Sequence, residues 1–117
     1  MDIRVSGHQV ETGASLQEHT EHRLDGVVEK YFGKAISSQV TFGKEKRGVF
    51  ACDIITHASH GDVFKAHAHA QDAHAALELA AAKLDKQLRR YKRRIKDRHE
   101  QADHARLERA AALGFKN

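Results

Sequence analysis

The order of apolar and polar positions divides the chain into six segments of regular structure. Ile3 and Val5 alternate with Asp2 and Arg4 as far as Gly7, the period-two pattern of a half-buried strand. The loop ETGAS follows, and Ser15 with Glu18 three residues on predicts a capping box at a helix start. From Leu16 the period becomes helical. Leu16, Thr20, Leu24, Val27, Val28 and Tyr31 fall on one side, and Gly33 predicts the end. Three strand-like runs come next. ISSQVTFGKEK offers Ile36, Val40 and Phe42; GVFACDIITH sets Phe50, Cys52, Ile54 and Thr56 on one face and Val49, Ala51, Asp53 and Ile55 on the other; DVFKAHAHAQ is the third. Short turns at Glu45–Gly48 and Ala58–Gly61 imply antiparallel hairpins. Asp72 is a predicted N-cap. Beyond it Leu77, Ala81, Leu84, Leu88, Tyr91 and Ile95 recur every three or four residues. At 100° per residue they keep within a stripe about 80° wide, on a helix that reaches Arg98 or beyond.

The element order is therefore β-α-β-β-β-α, an α+β fold. The first strand enters the sheet through a helical crossover and is expected parallel to its neighbour, so the four-stranded sheet is mixed; such crossovers are almost always right-handed. Each helix has a single apolar stripe, so both should pack on one face of the sheet, as in double-stranded-RNA-binding modules. A length of 117 residues suits one domain, placed at 1–98, with a charged tail or linker start at 99–117. The tail has three basic and three acidic residues and helix formers in ADHARLERAAAL.

Charge changes the picture of the second helix. Lys83 to Arg98 holds nine Lys or Arg and two Asp, a net of +7, whereas the whole chain is +4, so the remainder sums to −3. Measured from Leu77, Lys86, Arg90 and Arg93 fall at roughly 160–220°, opposite the apolar stripe. Lys83 and Arg94 widen that face, and Arg89 and Lys96 flank it. A solvated helix face normally mixes signs; here like charges repel at i,i+3 and i,i+4. A membrane-surface or partner helix needs its apolar side free, but Leu84, Leu88, Tyr91 and Ile95 are the expected anchors onto the sheet. A polyanion relieves the repulsion, and Arg forks suit phosphate. A folded RNA backbone fits a rigid face without aromatic platforms. Arg23 and Lys30 of the first helix could join a basic groove between the helices, while Glu18, Glu21, Asp25 and Glu29 make an acidic solvated face. The competing reading is a protein-interaction regulator whose basic helix engages an acidic partner.

Other chemistry is sparse. The single thiol, Cys52, cannot form an intrachain disulfide and alternates with Phe50 and Ile54, so it reads as a buried small hydrophobe in a reducing compartment. No basic-then-apolar leader opens the chain, and no apolar run approaches the roughly 18 residues of a membrane span. A cytoplasmic location without membrane partners is the expectation. Ten histidines raise the question of a metal. His67 and His69 share a strand face, and His57 or His60 could approach from the neighbouring strand, but no Cys pair, HExxH or acidic cluster supports them, so neither metal nor cofactor is expected. No nucleophile–base pair, phosphate loop or paired carboxylates suggest an enzyme.

Three stretches carry a family resemblance: IRVSGHQVE, RLDGVVEKYF and AHAQDAHAALELAAAKLDKQLRRYKRRIKD. Together they resemble the bacterial ribosome hibernation-promoting factor and ribosome-associated inhibitor family, also described as sigma-54 modulation proteins, over residues 1 to about 98. His74, Glu78 and Gln71 stand where many members have Tyr, another acid and Gly. The resemblance implies the same β-α-β-β-β-α fold. It further implies binding to the small ribosomal subunit and its 16S ribosomal RNA, in the channel used by messenger and transfer RNAs near the A and P sites. Translation would be blocked and idle ribosomes preserved in stress or stationary phase. The family's RNA-binding positions correspond to Lys83, Lys86, Arg89, Arg90, Arg93 and Arg94, with Arg23 and Lys30 on the first helix. Long members add a second domain that pairs ribosomes, so a pairing role would require a C-terminal domain beyond Asn117.

Overall fold

Alternation and helical period translate directly into the observed elements. The computed structural model describes residues 2–31, 37–58 and 61–112; at 99, 100, 103, 108 and 110–112 it describes backbone only. The chain runs β1 (Asp2–His8), α1 (Ala14–Glu29), β2 (Ser37–Lys44), a 3-10 turn (Lys46–Gly48), β3 (Phe50–His57), β4 (Val63–Ala70) and α2 (Ala73–Ala112). The predicted helix stop at Gly33, the strand position Ile36 and the turn residues Ser59 and His60 lie outside the described residues. The sheet order is β1-β2-β3-β4. β1 pairs parallel with β2, Val5 opposite Val40, and the other pairings are antiparallel. This is the mixed α+β sheet expected from the element order.

Both helices cover one face. Val40, Phe42, Cys52, Ile54, Phe64, Ala66 and Ala68 from the strands meet Leu16, Leu24, Val27 and Val28 of α1 and Ala76, Leu77, Ala80, Leu84 and Leu88 of α2 in one apolar cluster. Ile3, Val5, Tyr31 and Tyr91 close its margins. The buried hydroxyls are paired. Thr20 Oγ1 donates to the Leu16 carbonyl at 2.7 Å, and the buried Ser38 and Thr56 hydroxyls bond across the β2–β3 pair at 2.9 Å.

Two boundaries depart from expectation. β1 continues past Gly7 to His8, because a residue without Cβ lets the chain fold closely back; a Cβ at Gly7 would lie 2.2 Å from the Val10 carbonyl oxygen. The helix α1 begins before Ser15, so the capping box does not form. Gly13 is the N-cap, in extended conformation with no side-chain cap. Its carbonyl accepts from the Gln17 N–H at 3.0 Å, and the Gln17 Nε2 reaches back to the Thr12 carbonyl at 3.0 Å. At α2 the expected cap is present: Asp72 Oδ1 accepts from the Ala75 N–H at 2.7 Å.

Candidate nucleic-acid interface

The direction of the basic face follows from how α2 is held. Leu77, Ala81, Leu84 and Leu88 are fully buried against the sheet, with Tyr91 half-buried at the end of the stripe. Tyr91 sets its ring edge-to-face on Phe64, centroids 5.0 Å apart, and its hydroxyl donates to Asp62 in the β3–β4 connection. The opposite face is then fixed toward solvent. Lys86, Arg89, Arg90, Arg93 and Arg94 are all exposed, and none forms an ion pair among the described residues. Arg90, Arg93 and Arg94 with Gln87 and Phe64 line a groove of about 420 Å³ beside β4.

The other expected cations are engaged in holding the fold. Lys83 Nζ donates to the His67 carbonyl and Gln87 Nε2 to the Lys65 carbonyl, each at 2.7 Å. Both acceptors belong to β4, the last strand of the sheet, so the two side chains cover acceptors on an edge otherwise open to pairing. Arg23 Nε bonds Glu78 Oε2 at 2.9 Å, and Lys30 Nζ lies 2.8 Å from Asp85 Oδ1. Arg23 and Lys30 therefore tie α1 to α2. The Arg23 guanidinium holds the Glu78 carboxyl below the usual carboxylate range, helped by His19 at 3.1 Å. The Lys30 ammonium does the same for Asp85. His19 in turn stacks on His74, ring centroids 5.2 Å apart.

Sequence reasoning gave Glu78, Asp85 and Gln87 no part in the site. A signal existed for the two acids. From Leu77 they fall at about 100° and 80°, one flank of the apolar stripe, which is where a neighbouring helix must lie. Lys92 sits on that flank too and donates to the Lys30 carbonyl at 3.4 Å.

A helix whose exposed face is dominated by Arg and Lys, packed on a four-stranded sheet, is the setting for comparison with known proteins. Residues 3–96 match the family model described as sigma 54 modulation protein / S30EA ribosomal protein. The chain belongs to that family. A relative from Rhizobium meliloti named ribosome hibernation promotion factor is 39% identical over 100 residues, covering 85% of this chain and 52% of the relative. Azotobacter vinelandii has a ribosome hibernation promoting factor 31% identical over 100 residues, covering 86% of this chain and 91% of that protein. The chain thus spans about half the length of the longer relatives. The fold of this S30EA-family chain is shared with the N-terminal domain of Thermus thermophilus Protein Y. Their TM-score is 0.69 at 18% identity, over 78% of this chain and 99% of that one. No helix of the described residues is long and apolar enough to cross a membrane.

Proposed function

We propose that the chain is a cytoplasmic ribosome hibernation factor, or the ribosome-binding part of one, and that it is not an enzyme. Its α2 face binds the small ribosomal subunit along the 16S ribosomal RNA, in the messenger and transfer RNA channel near the A and P sites. Occupancy there blocks initiation and keeps idle ribosomes intact. The observation that carries this reading is the set Lys86, Arg89, Arg90, Arg93 and Arg94, exposed on one face with no ion pair among the described residues. The names of its relatives support the same reading.

Phosphate neutralisation releases condensed counterions, so such a face binds RNA in a salt-dependent way. The guanidinium groups supply paired donors for phosphate oxygens. Lys83, Arg23 and Lys30 contribute at the margin, each with donors left over from its bond within the fold. Co-sedimentation with purified small subunits tests the reading. Wild-type protein should pellet with them at low salt, and Arg90→Glu with Arg93→Glu should sharply reduce pelleting while the fold is retained. Undiminished pelleting of the double variant would overturn it. Capture of a partner that survives nuclease treatment would favour an acidic protein in place of RNA.

A further inference from the structure

Two rows of unpaired charge lie on opposite sides of the helix layer, and the RNA reading uses only one of them. On α1, His19 and Arg23 point to Glu78 of α2, and Lys30 to Asp85. At 100° per residue these three fall about 100–140° to one side of the buried Leu24, whereas Glu21, Asp25, Glu18 and Glu29 fall about 60–140° to the other. The acids therefore line the flank of α1 turned away from α2. Glu18, Glu21 and Glu29 are exposed and Asp25 is half-buried, and none of the four is in an ion pair among the described residues. On α2 the arrangement is reversed. Glu78 and Asp85 face α1, while Arg90, Lys83 and Arg94 fall about 100–140° to the far side of Leu77.

The sheet beneath runs in the same sense. β1 ends it on the α1 side and β4 on the α2 side. One lateral end of the domain is thus acidic and the other basic. Two like ends repel, and an acidic end attracts a basic one. The seam within the chain shows that neighbouring helices of this fold meet through ion pairs, with cations on α1 and acids on α2. A contact between chains repeats that chemistry with the signs exchanged. Strand addition is not the contact, because Lys83 and Gln87 already occupy two carbonyls of β4.

We propose that free copies of the chain associate head to tail, the acidic flank of α1 in one copy against the basic flank of α2 in the next. The contact is heterologous, so it does not close on itself as a two-fold dimer does. Its partners are exposed charges, so it is weak and screened by salt. The net charge of +4 opposes it at long range, and the local match of signs favours it at contact. Arg90 and Arg94 belong to the face assigned above to RNA. On that reading, on which this consequence alone rests, self-association and RNA binding exclude each other, and RNA dissolves the associated form.

Sedimentation velocity of the RNA-free protein tests the contact apart from the RNA reading. In about 0.01 M salt, where charges act over about 30 Å, the average mass should rise above one chain as concentration is raised; in about 1 M salt, where the range is about 3 Å, it should stay at one chain. Glu18→Lys with Glu21→Lys reverses the sign of half the α1 flank, and Arg90→Glu with Arg94→Glu reverses that of the α2 flank. Either variant alone should associate at least about tenfold more weakly than wild type at low salt, with an unchanged circular dichroism spectrum. An equimolar mixture of the two should associate again, because each offers the flank that the other has lost. A wild-type mass of one chain at every concentration in low salt would overturn the proposal. So would a variant that associates as the wild type does, or a mixture that stays dissociated.

Discussion

Individual core residues set what the surface can present. Cys52 shows how far burial controls chemistry. It has no exposed surface, and burial pushes its thiol up to about 12. The thiolate is the reactive form, so the native protein should resist thiol reagents. An Ellman-type assay should register no thiol in the native state and one per chain after denaturant is added; fast reaction of the native protein would contradict the packing described. Alternation made this position legible, since Cys52 shares its face with Phe50 and Ile54. The buried hydroxyls were less so. Thr20 was placed on the core stripe by period, yet what makes it tolerable there, a bond to the carbonyl one turn back, is a local geometry that no pattern encodes. The buried Ser38 hydroxyl finds a partner in Thr56, which stands opposite it, a fact of register.

At the scale of elements, the two helices are joined by charge as well as by apolar packing. Arg23–Glu78 and Lys30–Asp85 cross the α1–α2 seam, and both carboxyls are held below their ordinary range by these cations. A lowered folded-state value means the clamps contribute in full above the unfolded carboxylate range, near pH 4, and fade as pH falls through the lower folded values. Both pairs are partly exposed, so Glu78→Gln or Asp85→Asn should cost only about 0.2–1 kcal/mol at neutral pH. In urea unfolding that difference should shrink below pH 4; a constant difference down to pH 2 would contradict the assignment. The elements themselves were largely readable, because a period of two and a period of 3.6 leave different marks. What was not readable was the interface between them. Ala76 and Ala80 are fully buried, but an alanine suits either side of a helix until a neighbour is placed against it. The first helix started early because an extended Gly13, with a side-chain bond from Gln17, ended the loop before Ser15 could act as a cap.

The whole molecule separates two tasks in one helix. The first five or so turns of α2 complete the core and direct the Arg and Lys side chains; the rest runs on beyond the sheet to Ala112. Forty residues of helix at about 1.5 Å each give about 60 Å, which accounts for most of the 69 Å long axis. Residues 99–112 thus continue the helix instead of forming a separate turn or loop, one of the readings the tail composition allowed. The basic face was evident from charge segregation alone, since nothing but the helical period is needed to place Arg90 and Arg93 opposite Leu84 and Leu88. The sorting of cations into free and engaged was not, because it depends on Glu78, Asp85 and the β4 carbonyls arriving from elsewhere in the fold.

The central claim is that this free face binds ribosomal RNA through phosphates. Affinity for purified small subunits, measured across a range of salt, tests it most directly. Log affinity should fall linearly with log salt, and the slope should drop by about one for each phosphate contact removed. Arg90→Glu with Arg93→Glu should therefore bind more weakly at every salt concentration and with a slope shallower by about two or more. An affinity that does not respond to salt, or a double variant with the wild-type slope, would contradict the account.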